Sequence, residues 1–145
     1  MKIIYTKNAE ETIKLGRTIG NLLFSSAIIT LNGDLGAGKT TFTKGIAQAL
    51  DIERVVNSPT FTIMKVYEGR LTLYHMDVYR LEGIGYDYDL EEYLYGDGVR
   101  VVEWSDNIKN SMEGFLRIDI TLEEDLRKFT ISTDDPRYSK IMEKL

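Results

Sequence analysis

The chain has 145 residues, 43% of them hydrophobic and 28% charged, which is typical of a single globular domain spanning residues 1–145. It contains no cysteine, so disulfides, thiolate nucleophiles and zinc-thiolate sites are excluded. The net charge of −5 disfavours a protein that holds nucleic acid with its whole surface, and we expect no DNA binding.

The opening residues give no sign of a targeting or membrane segment. The sequence turns polar within five positions, and no later apolar run approaches the roughly 20 residues needed to cross a bilayer. We therefore expect a cytoplasmic protein with no membrane contact.

The first predicted elements are a strand, a helix and a second strand. A short apolar run covers residues 3–5, and a helix is predicted over 8–23, with Asn8 as N-cap and Glu11 completing a capping-box pattern. The continuous apolar run 27–31 predicts a strand covered on both faces. The apolar stripe of the helix is predicted to contain Ile13, Ile19 and Leu23.

The later elements predict a mixed sheet. Two β-rich runs, 61–67 and 71–79, are separated by three residues with a central glycine, which predicts an antiparallel hairpin. A short acidic helix is predicted over 86–95. Further strands are predicted over 99–104, 115–121 and 128–132, and a terminal helix near Pro136.

A glycine-rich loop lies between the strand at 27–31 and a helix predicted over 40–50. Its sequence, GDLGAGKT, matches the pattern G-x-x-x-x-G-K-[ST], in which backbone N–H groups surround a phosphate, the lysine contacts β- and γ-oxygens, and the hydroxyl binds Mg²⁺. The order of strand, loop and helix predicts an α/β P-loop NTPase domain with three layers, a largely parallel mixed sheet and an antiparallel hairpin. The predicted phosphate-binding residues are Gly33, Asp34, Leu35, Gly36, Ala37, Gly38, Lys39, Thr40 and Thr41.

The N-K-x-D stretch typical of guanine-specific GTPases is absent from the sequence, which favours ATP. Hydrolysis or transfer also requires a carboxylate near Mg²⁺ and a group that orients the nucleophile. Glu103 and Asp77, both at predicted strand ends, are the candidates. The alternatives are a surface residue for Glu103, a turn-initiating residue for Asp77 and a solvated turn residue for Asp34.

The segment NSPTF, residues 57–61, presents two hydroxyls around a rigid proline about twenty residues after the lysine. In P-loop enzymes this interval often holds a switch that senses the γ-phosphate.

The chain closely resembles the bacterial TsaE family, also called YjeE, over about residues 12–131. Four blocks carry the resemblance: GDLGAGKTTFTKGIAQAL, NSPTFTI, LYHMDVYRL and VVEW.

The resemblance implies an ATPase, with ATP/ADP and Mg²⁺ as cofactors, that is required for N6-threonylcarbamoyladenosine at position 37 of tRNA (t6A37). Family members act with TsaD and TsaB. The partner transfers the threonylcarbamoyl group, and ATP hydrolysis lets the complex turn over. Contact with tRNA is expected to be indirect, through the complex.

The same resemblance assigns roles to individual residues. Lys39 would hold phosphates, Thr40 and Glu103 would hold Mg²⁺, and Thr60 would be the switch threonine. Asp77 matches the essential aspartate, as a general base or water-orienting residue. Two further matches, Thr12 near the base and sugar and Arg127 beside the nucleotide, complete the predicted site.

Two aromatic residues in the matched blocks keep more than one interpretation. Trp104 either stacks on a nucleotide or partner, or packs in the fold. His75 either orients neighbouring groups and packs, or takes part in proton transfer.

An acidic middle segment suggests a partner surface. Residues 77–106 carry nine acidic and two basic side chains, together with five of the nine tyrosines. Because tyrosine is enriched in interfaces, we hypothesise that this segment, including Glu91 and Glu92, docks onto TsaD, TsaB or both. The alternative is ordinary packing of a helix against the sheet.

Two other functions remain open. A small-molecule P-loop kinase would use the same loop but generally needs an arginine-bearing lid, for which the acidic segment offers only Arg80 and Arg100. A regulatory module could bind the nucleotide without hydrolysing it. Asp77, Glu103 and Thr60 favour hydrolysis over that module.

Overall fold

The structure is a computed structural model that describes residues 1–34, 36–54, 56, 64–77, 97–103 and 114–145. Within these ranges the chain forms seven strands, three α-helices and one 3₁₀ turn. The strands are β1 (Lys2–Thr6), β2 (Ile28–Asn32), β3 (Met64–Tyr67), β4 (Leu73–Asp77), β5 (Val99–Glu103), β6 (Leu116–Glu123) and β7 (Leu126–Thr133). The helices are α1 (Ala9–Gly20), α2 (Lys39–Ala49) and α3 (Ser139–Lys144), the last preceded by the 3₁₀ turn Pro136–Tyr138.

The seven strands form one mixed sheet in the order β1-β7-β6-β2-β5-β4-β3. The central strands β6, β2, β5 and β4 run parallel, whereas β7, β1 and β3 join antiparallel to their neighbours. The pairing of β3 with β4 confirms the predicted hairpin, and β2 is buried along its whole length, as its apolar sequence predicts. Because β2, β5 and β4 are parallel, their carboxyl ends lie along one edge of the sheet.

Helix α1 begins as predicted and ends earlier than predicted. The Asn8 side chain accepts a hydrogen bond from the Glu11 amide at 2.9 Å, and the Glu11 carboxylate accepts one from the Lys7 amide at 2.7 Å. The helix ends at Gly20 rather than at residue 23. The last carbonyl, that of Gly20, accepts hydrogen bonds from the Leu23 amide at 3.2 Å and from Nη2 of Arg70 at 3.3 Å.

Glycines bring α1 and α2 into backbone contact. A Cβ atom on Gly45 would lie 2.2 Å from the Ile13 carbonyl oxygen, and one on Gly16 would lie 2.3 Å from the Phe42 oxygen. Of the predicted apolar stripe, Ile19 and Leu23 are buried and Ile13 is half-buried, but the prediction omitted the glycines through which α1 contacts α2. The buried residues of α1 are Thr12, Leu15, Gly16, Ile19 and Gly20.

The last two strands are longer than predicted. Strand β6 continues to Glu123 and β7 begins at Leu126, with Glu124 in the left-handed region at φ 56° in the turn between them. The far end of β6 is exposed on both faces, so the alternation that marks a half-buried strand is missing there.

Buried apolar side chains from α1, α2, α3 and the sheet form one hydrophobic cluster. Tyr138 attaches the C-terminal segment to it: its hydroxyl accepts a hydrogen bond from the Ile28 amide at 2.9 Å and donates one to the Gly114 oxygen at 2.8 Å. Burial raises the pKa of this phenol.

The predicted helix over 86–95 lies outside the described residues. In the described part of the chain, no helix is long and apolar enough to cross a membrane.

Candidate functional site

The glycine-rich loop connects the end of β2 to the start of α2. The Ala37 amide donates to the Asp34 oxygen at 3.0 Å, and the backbone is left-handed at Gly36 (φ 78°) and Gly38 (φ 112°), conformations that favour glycine. Gly38 is also the N-cap of α2 and makes no side-chain capping bond. The first-turn amides of this helix are thus suited to an anion.

Lys39 lies across the opening of the loop and is only 6% exposed. Its Nζ donates to the Gly33 carbonyl oxygen at 2.7 Å and is 3.7 Å from Oε1 of Glu103, which is 3% exposed. The two side chains thus form a buried ion pair at the loop. The predicted lysine and the predicted magnesium ligand therefore belong to one site.

The two predicted carboxylates lie side by side. Asp77 ends β4, Glu103 ends β5, and the two residues are partners in the parallel register, so their Cα atoms are roughly 4.8 Å apart. Alternation along β5 places Glu103 on the same face as Val101, which packs in the core with Phe42 of α2. Because residues paired in register share a face, both carboxylates lie on the face of the sheet that α2 covers.

His75 contacts Glu103 directly. Its ring is completely buried, and Nε2 forms a hydrogen bond with Oε2 of Glu103. The sequence left open whether His75 orients its neighbours or transfers protons, and the contact agrees with an orienting role. The spacing in YHMD was the available signal, since residues two apart on a strand share a face.

Arg127 of β7 donates hydrogen bonds to backbone carbonyls of the loop. Its Nε donates to the Ala37 oxygen at 2.9 Å, and Nη2 lies 3.3 Å from the Gly36 oxygen. Its side chain also occupies space beside Gly38, where a Cβ atom would be 2.9 Å from Nε. The structure therefore brings Arg127 to the loop, where its described contacts are to loop carbonyls, and its place beside a nucleotide stays a prediction.

Thr12 is 1% exposed, and its hydroxyl is used inside the protein. Its Oγ1 is 2.7 Å from Oγ1 of Thr6 and donates to the Asn8 oxygen at 3.2 Å. Because Thr6 pairs with Arg127 between β1 and β7, Thr12 lies close to the loop region. Its direct contact with a nucleotide stays a prediction.

Several predicted site residues fall outside the described ranges: Leu35, Thr60 with the segment 57–61, Trp104, and residues 78–96 with the tyrosines and Glu91 and Glu92. Thr40 and Thr41 are half-buried in the first turn of α2, where the prediction requires them. Sequence reasoning missed Thr6, because a threonine at the end of an edge strand carries no distinctive pattern.

The donor set fits a hydrated magnesium ion bound with phosphates. Across the described ranges, no group of three His, Cys, Asp or Glu side chains comes together that could hold a metal alone. Mg²⁺ usually binds through one or two carboxylates, waters and phosphate oxygens rather than in an all-protein site. Glu103 and the Thr40 hydroxyl would be the protein ligands in such an arrangement.

A cavity of about 600 Å³ lies away from this site, at the opposite end of β6. It is lined by residues that include Phe115, Arg117 and Asp134. Neither the loop nor either strand-end carboxylate borders it, so it has no place in the chemistry of the site.

Comparison with known proteins places these features in a family. Residues 6–130 match the family model described as threonylcarbamoyl adenosine biosynthesis protein TsaE. The tRNA threonylcarbamoyladenosine biosynthesis protein TsaE of Bacillus subtilis is 45% identical over 144 residues, which are 97% of this chain and 90% of the relative. Its namesake from Treponema pallidum is 44% identical over 74% of this chain and 81% of its own length.

A solved structure agrees with the sequence matches. The crystal structure of YdiB from Bacillus subtilis superposes with a TM-score of 0.84 at 40% identity, covering 99% of this chain and 92% of that chain. This likeness, together with the mixed sheet, confirms the predicted α/β P-loop fold. The chain belongs to the TsaE family.

Proposed function

We propose that this protein binds ATP with Mg²⁺, hydrolyses it to ADP and phosphate, and supports t6A37 formation in tRNA together with TsaD and TsaB. One observation carries the proposal: buried Lys39 lies within 3.7 Å of Glu103 at the opening of the loop. The names of the relatives, tRNA threonylcarbamoyladenosine biosynthesis protein TsaE, support the pathway.

The loop and Lys39 would bind the phosphates. In the structure the Lys39 ammonium is held by the Gly33 oxygen and faces Glu103, so it is already directed to the loop opening. Phosphate oxygens would replace these partners and would also accept from amides of the first turn of α2. The adenine and sugar would bind in the part of the site near Thr12 and Arg127.

Glu103 and Thr40 would hold Mg²⁺. The ion supplies charge neutralisation at the β- and γ-phosphate oxygens when it is bound. Asp77, next to Glu103 in the register, would orient the attacking water or accept its proton. Thr60 would act as the switch residue that senses the γ-phosphate.

The proposal is tested by mixing the protein with TsaD and TsaB, adding ATP and Mg²⁺, and measuring phosphate release with no other acceptor present. Phosphate should appear, and chelation of the metal with EDTA should abolish it, because the ion supplies the positive charge that neutralises the β- and γ-phosphate oxygens. Phosphate transfer only to an added small molecule would indicate a kinase. ATP binding without phosphate release would indicate the regulatory module.

Arg127→Met should weaken ADP binding by up to about 30-fold, because two hydrogen bonds that hold the loop carbonyls are lost at about 1 kcal/mol each. Titration calorimetry with ADP measures the change. Lys128→Ala is the matched control, since Lys128 is the next residue on β7 and pairs with Glu123 rather than with the loop. Equal ADP affinity in the Arg127 variant and the wild type would show that the loop does not depend on this side chain.

A further inference from the structure

His75 is a completely buried polar residue beside the proposed magnesium ligand. It is the one histidine of the chain and pairs with Val101 in the register of β4 and β5, two residues before the pair of Asp77 and Glu103. A strand interior at this depth normally carries an apolar side chain. The imidazole of His75 is therefore expected to have a specific hydrogen-bonding role in addition to packing.

The two oxygens of Glu103 have different surroundings. Oε2 is hydrogen-bonded to Nε2 of His75, whereas Oε1 faces Nζ of Lys39 at 3.7 Å. The carboxylate is therefore turned so that one oxygen faces the interior of the sheet and the other faces the loop.

The other ring nitrogen indicates which tautomer His75 adopts. Among the described residues, Nδ1 of His75 is buried and has no hydrogen-bond partner. A buried N–H without an acceptor is strongly unfavourable, so the proton belongs on Nε2, where the Glu103 carboxylate accepts it. His75 is thus a donor aimed at one oxygen of Glu103.

We propose that His75 is a positioning residue for Glu103: it occupies Oε2 and thereby directs Oε1 to Mg²⁺ at the phosphate loop. This inference rests on the proposed function, because it concerns how the magnesium ligand is oriented. Partners that orient a metal ligand typically change metal affinity 10- to 100-fold when they are removed. In this arrangement His75 would act through Glu103, without contacting the phosphates or the attacking water.

The test compares His75→Leu, which has no donor, with His75→Gln, whose amide nitrogen can donate to the same oxygen. Mg²⁺ is titrated into each protein in the presence of ADP, and nucleotide binding is followed by calorimetry. The Leu variant should need about 10-fold more Mg²⁺ for half-saturation, and the Gln variant should recover most of the difference. ADP binding in EDTA should be the same in all three proteins.

A second measurement keeps the inference testable if the Leu variant does not fold. ¹⁵N NMR of the nucleotide-free protein reports the tautomer of the single histidine without overlap from any other. The wild type should show the proton on Nε2, and Glu103→Gln should shift that resonance, because the charged acceptor is lost. A resonance unchanged by Glu103→Gln would overturn the inference.

The two proposals fail in different ways. Wild-type Mg²⁺ dependence in a folded His75→Leu protein that still hydrolyses ATP would overturn the positioning role alone. Suppose that neither the wild type nor a variant releases phosphate, but that Mg²⁺ affinity falls in the Leu variant and recovers in the Gln variant. The positioning role then holds, and hydrolysis is rejected.

Discussion

Lys39→Ala should lower ATP hydrolysis in the presence of TsaD and TsaB at least about 100-fold, the loss typical of removing one charge-stabilising donor from an active site. The ammonium is the buried cation at the loop opening, and it already lies within 3.7 Å of Glu103. No other described lysine or arginine forms an ion pair with Glu103. The measurement is the rate of phosphate release at saturating ATP and Mg²⁺.

Lys44→Ala is the control for this prediction. Lys44 lies five residues further along α2, half-buried, and borders a small cavity at the far side of the helix with Gln48 and Ile52. Its removal changes the net charge equally but leaves the loop intact, so hydrolysis should remain near the wild-type rate. Wild-type hydrolysis by a folded Lys39→Ala protein would mean that the chemistry lies elsewhere.

Gly45→Ala should lower the free energy of unfolding by about 3 kcal/mol, the upper range for overpacking a close contact. The added Cβ would lie 2.2 Å from the Ile13 oxygen and 2.9 Å from the Gly16 Cα, and both of these are backbone atoms. The helices must therefore separate along their length. In a thermal melt the midpoint should fall by roughly 10 °C for a chain of this size.

The control for the glycine contact is Lys14→Ala on the exposed face of α1. A surface substitution of this kind should change the free energy of unfolding by no more than about 0.5 kcal/mol. A Gly45→Ala protein as stable as the wild type would show that α1 and α2 can move apart at no cost.

Most of the secondary structure could be predicted because its signals are local. The N-cap at Asn8 depends on residues within one helical turn, and the buried strand β2 was predicted from the apolar run 27–31, which it overlaps except for one residue at each end. The hairpin turn at 68–70 is equally local. The contact of Arg70 with the last carbonyl of α1 was not predictable, because it joins residues fifty positions apart.

The sequence contains a signal for the glycine contact between α1 and α2. Gly16 and Gly20 in α1 are four residues apart, as are Gly45 and Ala49 in α2, so each helix carries a stripe of small residues on one face. A Cβ on Gly20 would lie 2.6 Å from the Ala49 Cβ, which shows that the two stripes meet. The pairing of the stripes depends on how the helices cross, which no single helix specifies.

By itself, the sequence determined the phosphate loop, the candidate carboxylates Asp77 and Glu103, and the family resemblance, because each depends on residue types at short, fixed spacings. Only the tertiary structure decided which of these groups meet. It placed Asp77 beside Glu103 through strand register, His75 on one oxygen of Glu103, and Lys39 near the other. These contacts join residues 26 to 64 positions apart, and sheet order and burial, rather than local propensity, bring such distant groups together.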